Sequence, residues 1–386
     1  MTIPLKYNVR NLVVRWRSTL TTMLGIALVV AVFVMVMALA RGLQATYINT
    51  GDARNLLVLR KGSTAESSSQ IERAKVRMFK YRDEIARDAA GEPMLSAEII
   101  VLILLDRFDA GTANVIVRGI GAQGLALRPT IRLSEGRMFR PGVHECIASR
   151  RIADRFKNCR LGETFHAGKF DWTVVGIFDA QRTAYDSEIW TDADEARDAF
   201  NRSFYGSALL RPVNAQAGEA LAQTLEADKQ LYVRVLSESK YYDEQTKNAG
   251  PIRFMGMFLA TVMSIGAAFA AMNTMYAAVG ARTSEIGTLR VLGFRRRQIY
   301  ASFLLESVVL SLAGGVLGCL ASLPLNGLAT GTMSWTTFSE ITFQFQITPA
   351  LLAQGMAFAL VMGVLGGLLP ARMAASKPVL DAIHAA

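Results

Sequence analysis

Four apolar windows constrain this chain more than anything else in it: Thr19 to Ala40, Phe254 to Gly280, Ile299 to Leu325 and Ala350 to Pro370. Each is long enough to cross a hydrocarbon core, which takes about 20 apolar residues of helix, and none contains Lys or Arg. The composition agrees. Over 386 residues, 51% are hydrophobic and only 19% charged, with a mean hydropathy of +0.26, too apolar and charge-poor for an ordinary soluble enzyme. The first window exceeds the roughly 7 to 15 residues of a signal-peptide core, which predicts a retained anchor. One other run, "IIVLILL" from Ile99 to Leu105, is short, β-branched and bracketed by Glu98 and Asp106, and reads as a buried strand.

Cations cluster on the short flanks of the windows. Lys6, Arg10, Arg15 and Arg17 precede the first, Arg282, Arg290, Arg295, Arg296 and Arg297 separate the second from the third, and Arg372 and Lys377 follow the fourth. The connection from Asn326 to Pro349 has neither Lys nor Arg. Short loops biased in this way stay cytoplasmic, so both termini are expected in the cytoplasm and the stretch from Gly42 onward is expected to be exported. The chain therefore reads as an integral membrane protein of four transmembrane α-helices, with a large mixed α/β extracytoplasmic domain inserted between the first and second. The expected division is an amphipathic N-terminal helix over 1–18, spans at 19–41, 253–280, 299–325 and 350–370, an exported domain at 42–252, a cytoplasmic helix within 281–298, an extracytoplasmic loop at 326–349 and a tail at 371–386. Most of the formal net charge of +10 is then topological. No zinc spacing or aromatic-basic motif accompanies it, and nucleic acid is not an expected partner.

In the exported region, strand patterns fall at Leu56 to Leu59, Ile99 to Leu105, Val115 to Ile120, Glu145 to Ala148, Trp172 to Phe178, Leu209 to Val213 and Leu231 to Val235. Helical patterns fall at Ile71 to Ala89, Arg150 to Phe156, Ala193 to Asn201 and Ala215 to Ala227. The patch "GSTAESSSQ" from Gly62 to Gln70 has the composition of a loose loop, and 207–237 reads as a small subdomain. Cys146 and Cys159 either bridge, closing a loop of about 14 residues that stabilises by about 3 kcal/mol, or remain two free thiols. The three histidines lack ligand spacing, so no metal is expected. Neither G-x-x-x-x-G-K-[ST] nor H-E-x-x-H nor G-x-S-x-G occurs, so no catalytic residue is assigned.

Within the membrane part, Leu5, Val9, Leu12 and Trp16 share one helical stripe beside Lys6, Arg10 and Arg17, an interfacial pattern facing acidic lipid. Gly314 with Gly318, and Gly363 with Gly367, are small-xxx-small pairs that let helix backbones approach. Asn273 and Glu306 are the polar exceptions inside the windows. For Glu306, local structural bonding is favoured over proton relay. Between the second and third windows, Thr283 or Ser284 suits a helix cap, Glu285 its first turn, and Gly293 a left-handed stop. That predicts a helix of about nine residues, roughly 13 Å long. Positive-inside bias explains its arginines but not its apolar residues Ile286 and Leu289, which call for a partner protein.

The segment "ARTSEIGTLRVLGFRRRQIYASFLLESVVLSLAGGVLG", Ala281 to Gly318, resembles the signature of FtsX/MacB-type permeases of ABC transporters, as do "GRMF" at Gly136, "LGETF" at Leu161, "WTVVGIF" at Trp172 and the ending "PARMAASKPVLDAI" from Pro370. The resemblance implies that Arg282 to Gly293, with Arg282, Glu285, Ile286, Leu289, Arg290 and Gly293, forms a coupling helix seated in an ABC ATPase subunit. That ATPase, expected as a separate chain, would hold the ATP and Mg; none is expected to bind here directly. It also implies a bacterial inner-membrane location, a second permease copy or paralogue, and force relayed across the bilayer to export or extract a lipid, lipoprotein, peptide or drug, with a periplasmic adaptor among the partners. Two other readings stand beside it: an FtsX-like regulator that activates a periplasmic cell-wall hydrolase without moving a substrate, and a membrane-anchored sensor with no ATPase.

Overall fold

The computed structural model describes residues 16–246, 250–334 and 337–377. The stripe Leu5, Val9 and Leu12 of the expected N-terminal helix, and the end of the C-terminal motif, lie outside them. In chain order the elements are α1 (Trp16–Ile48), β1 (Leu56–Arg60), β2 (Ile71–Glu72), α2 (Arg73–Phe79), β3 (Leu95–Asp106), β4 (Thr112–Ile120), β5 (Arg132–Gly136), β6 (Glu145–Ser149), α3 (Arg150–Arg155), β7 (Thr164–Ala167) and β8 (Phe170–Asp179). They continue as β9 (Glu188–Asp192), α4 (Ala193–Ala199), β10 (Phe204–Tyr205), β11 (Ser207–Leu210), α5 (Ala215–Ala227), β12 (Val233–Ser237), α6 (Glu238–Thr246), α7 (Gly250–Gly280), α8 (Thr283–Val291), α9 (Arg296–Ser322), β13 (Ala329–Met333), β14 (Glu340–Gln344) and α10 (Pro349–Ser376). The chain divides into two units: a helical one of 1–41, 251–328 and 345–386, and an α/β one of 42–250 and 329–344.

The helical unit contains the four windows, on α1, α7, α9 and α10, all long and apolar enough to span a membrane. Its core gathers Ile26, Val30 and Val34 from α1, Leu310 and Cys319 from α9, and Leu351, Ala359 and Met362 from α10. Lipid tails are as apolar as these side chains, so close packing, not hydrophobic force, holds such helices together. A Cβ on Gly318 would lie 2.5 Å from the Ala27 carbonyl oxygen, and one on Gly363 1.9 Å from Ser311 Oγ. Ser307 Oγ donates to the Gly363 carbonyl at 2.8 Å, fastening α9 to α10. Gly314 is as closely faced by α1, and Gly367 by Ser307. Two helices run past the expected limits. α1 continues through Arg41 to Ile48, because a charge ends an apolar window without breaking a helix. α10 continues through the buried Pro370, since helices packed in a membrane tolerate proline.

The α/β unit is built on a ten-stranded sheet in the order β12-β1-β11-β3-β4-β9-β6-β8-β5, with β7 paired to β8. Strand β3 pairs antiparallel with β4 from Ile99↔Gly119 to Asp106↔Thr112, so "IIVLILL" is a central strand with its flanking Glu98 inside it. Parallel pairs join β4 to β9 and β6 to β8. One core lies around Ile103, Val117, Phe165, Trp172 and Ile189. A second lies around Val58, Phe79, Leu210, Leu221 and Leu225.

Four sequence expectations need correction here. The 207–237 segment is not a separate subdomain: β1 inserts between β11 and β12, with Leu57 opposite Leu209 and Val58 opposite Val235, a long-range pairing invisible to local pattern. The helix expected over Ile71 to Ala89 is confined to Arg73–Phe79, because Ile71 and Glu72 pair with β10. The Gly62 to Gln70 patch, expected as a plain loop, carries a short 3-10 turn at Glu66–Ser68 that buries Glu66. The 326–349 connection contains a hairpin, β13 with β14, that belongs to the α/β unit. Its Glu340 is buried and ion-paired with Arg107 and Arg155, while Thr342 N–H donates to Ser187 Oγ at 2.8 Å.

Candidate docking helix and its buried ion pair

Between α7 and α9 the chain makes a single short helix whose stop is set by one glycine. Gly293 has φ +93°, a conformation that glycine adopts without steric cost. Phe294 N–H donates to the Leu289 carbonyl at 3.1 Å and Gly293 N–H to that of Arg290 at 3.2 Å, the paired closure of a Schellman motif. Arg295 then caps α9, its N–H donating to Gln298 Oε1 at 2.7 Å. At the other end the cap position falls to Arg282, one residue before the Thr283 or Ser284 expected, and no side chain caps the helix there. Thr283 Oγ1 instead donates back to the Gly280 carbonyl at 2.8 Å.

Arg282 is directed inward. Its side chain is 7% exposed, Nη1 donates to Glu306 Oε2 of α9 at 2.9 Å, and Nε donates to Glu285 at 3.2 Å. The guanidinium also lies 5.0 Å from the centroid of the Phe303 ring, a cation–π placement that favours a delocalised cation. Two residues singled out separately in the sequence, a coupling-segment arginine and an intramembrane glutamate, thus form one buried pair. The ion pair gives Glu306 a structural partner, and burying either charge alone would be costly.

Ile286 is not the outward-facing apolar residue that the sequence suggested. It is 2% exposed and packs with Met275, Val279, Ile299, Phe303, Ala371 and Ala374. Leu289 and Arg290 are half-buried beside it. Helical spacing explains the swap: 282, 286 and 289 follow the inner stripe, leaving Ser284, Glu285, Thr288, Val291 and Leu292 on the outer one. Val291 and Leu292 are 63% and 67% exposed. Arg295, Arg296 and Arg297 are exposed just beyond them. The outer stripe therefore presents two apolar side chains between a carboxylate and a cationic cluster, chemistry suited to a protein partner. Asn273 belongs to neither face, being exposed on α7.

The α/β unit holds a second polar centre that the sequence reading passed over. Arg118 contacts Glu66, Glu98 and Glu188, and Arg128 contacts Glu98 and Glu238, all buried. Trp190 Nε1 donates to Glu188, Ser207 Oγ to Glu66, and Tyr185 Oη to Glu238. Asp52 N–H and Asn55 Nδ2 also donate to Glu238 at 2.8 and 2.9 Å, so the residues that follow α1 meet the start of α6. Burial opposes ionisation of Glu98, but Arg128 and Arg118 overcome it and hold its carboxyl below the usual range. Burial pushes the Tyr185 phenol well up. The available signal was Arg118 within "VIVRGI", a charge where a buried strand should carry none.

Cys146 and Cys159 are free thiols in the structure, buried in one core. Burial pushes Cys146 well up and Cys159 to about 12, which suppresses the thiolates.

Residues 19–234 match the family model described as MacB-like periplasmic core domain, and residues 257–379 that described as FtsX-like permease C-terminal. A relative named macrolide export ATP-binding/permease protein MacB, from Rhodopseudomonas palustris (strain HaA2), is 25% identical over 96% of this chain and 58% of its own length. The protein of the same name from Pasteurella multocida (strain Pm70) is 25% identical over 94% of this chain and 57% of its own. The chain thus spans a little over half the length of these curated relatives. A crystal structure of the periplasmic region of MacB from Actinobacillus actinomycetemcomitans aligns with a TM-score of 0.38 at 13% identity, covering 48% of this chain and 90% of that one.

Proposed function

The chain belongs to the FtsX/MacB-type family of ABC transporter permeases, and from that premise we propose that it transmits the conformational cycle of an ABC ATPase across the bacterial inner membrane to its α/β unit. ATP and Mg act on the ATPase; this chain supplies the docking helix α8 and the spans that move. The observation that carries the reading is the outer stripe of α8, a partner-ready surface on a helix anchored from beneath by Arg282 and Ile286. The cation bias of the flanks supports both termini and α8 on the cytoplasmic side, with the α/β unit in the periplasm.

The cargo is exported or extracted from the membrane or periplasm, as the relatives' name implies for macrolides in their case. A cleft of about 410 Å³ in the α/β unit is lined by Arg73, Arg77 and Lys80 together with Asp192 and Asp194. Such a charged lining favours a polar or amphiphilic ligand, or an adaptor, over a purely apolar lipid chain. A second permease copy completes the complex. Gly266, Ala270, Asn273, Ala277 and Gly280, all exposed, recur at intervals of 4, 3, 4 and 3 along α7, and an amide exposed at membrane depth favours a covered face.

The decisive experiment uses the full chain co-purified with its ATPase from the native host and reconstituted in lipid. Glu285→Lys and Leu292→Asp each remove the ATPase or cut its stimulation by about tenfold or more, in line with typical coupling energies. Full retention and full stimulation in both variants would sink the docking assignment.

A further inference from the structure

The corner between α8 and α9 is closed twice, once by the backbone and once by charge. At the C-terminal end of α8, the Schellman closure at Gly293 and the Arg295 cap lead into α9 within a few residues. At the N-terminal end, Arg282 reaches across to Glu306, which lies on the same span three turns further in. Helix, span and ion pair thereby form a triangle. Ile286 packs against α7, α9 and α10 together, but apolar contact is non-directional and lets a helix slide. The guanidinium fixes direction: one edge is bound to Glu306, another to Glu285 on the helix itself, and its face lies over Phe303. A fork pre-organised in this way loses little entropy per bond.

We propose that Arg282 is a positioning residue that locks α8 to the third span through Glu306, so that a push on the exposed stripe moves α9 as one body with the helix. In this arrangement Glu285 links the docking surface to the buried pair, since it is 52% exposed and bonded to Arg282. This inference deepens the docking assignment and rests on it for its consequence in transport, although the lock itself does not require a partner.

The first test therefore omits the ATPase. In full-length chain whose three native cysteines are replaced by alanine, spin labels at Thr288 and Val309, both exposed, report the angle between α8 and α9 in nanodiscs. A single narrow distance distribution is expected. Glu306→Gln, which keeps the shape and an acceptor but removes the charge, broadens it. Arg282→Lys, which keeps the charge but not the fork, broadens it less. An unchanged distribution in Glu306→Gln overturns the lock, as does a broad one in the parent chain. If Glu306→Gln does not accumulate, Arg282→Lys decides by the same criterion. The second test adds the ATPase to the unlabelled chain. Glu306→Gln should still retain it, because the outer stripe is intact, while stimulation falls about tenfold. Undiminished stimulation overturns the proposed role. Full retention and full stimulation of the ATPase by both Glu285→Lys and Leu292→Asp, by contrast, would sink the docking assignment and leave the spin-label result standing.

Discussion

At Arg118, three carboxylates converge on one guanidinium that is 2% exposed. Every oxygen of these carboxylates accepts a hydrogen bond from Arg, Trp or Ser, which is what makes so much buried charge tolerable. Removing one partner is worse than never having had the pair. We expect Arg118→Met to destabilise the full chain by about 3–5 kcal/mol, read as a lower melting temperature in detergent with loss of near-ultraviolet dichroism. Acid acts on the same centre. Glu98 has a depressed folded pKa, so its stabilisation is complete above the unfolded value of about 4.3 and is lost as pH falls through the folded one. The melting temperature should therefore drop on acidification below that value, and Glu98→Gln should start lower but flatten the drop. An acid limb equally steep in Glu98→Gln would remove Glu98 from this account. The sequence named Glu98 only as the bracket of an apolar run. Its role became visible when β3 and β4 paired and brought it against Arg118 and Arg128.

Among the elements, α9 and α10 show how far a glycine pattern can be trusted. The spacing of Gly314 with Gly318 and of Gly363 with Gly367 was legible in the sequence; which helix each pair faces was not, because i, i+4 periodicity defines a face and no partner for it. Gly363 faces Ser311 and Gly318 faces Ala27. Gly363→Ala should cost about 1–3 kcal/mol through overpacking, measured by thermal unfolding in detergent, whereas Gly25→Ala, with nothing within 4 Å of its Cβ, should be neutral. Equal effects would show that close approach at Gly363 is not what holds α9 to α10. The short helix α8 teaches the opposite lesson. Its boundaries followed from Glu285 and Gly293, yet Ile286 points inward and Val291 and Leu292 outward, because the inner face of nine residues is chosen by the spans beneath it.

For the molecule as a whole, the chain passes between the two units four times, at 41–42, 250–251, 328–329 and 344–345. The last two crossings carry the β13–β14 hairpin, so a segment that the sequence marks only as a loop without Lys or Arg is part of the α/β fold. A second copy is the remaining question at this scale. Single cysteines at Gly266, Ala270, Asn273 and Ala277 should cross-link between copies in membranes more efficiently than one at Val316, which is exposed on α9. Equal yields at all five positions would argue against association through α7.

By itself, the sequence determined the four apolar helices long enough to span, the short helix with its glycine stop and the mixed character of the inserted unit. Each of those depends on hydrophobicity, charge or backbone permissiveness within a window of a few turns. Only the tertiary structure decided that β1 lies between β11 and β12, that the hairpin joins the α/β unit, and that Arg282 pairs with Glu306. These are contacts between residues distant in the chain, and their free energy arises from desolvation and geometry that exist only once both partners are held in place.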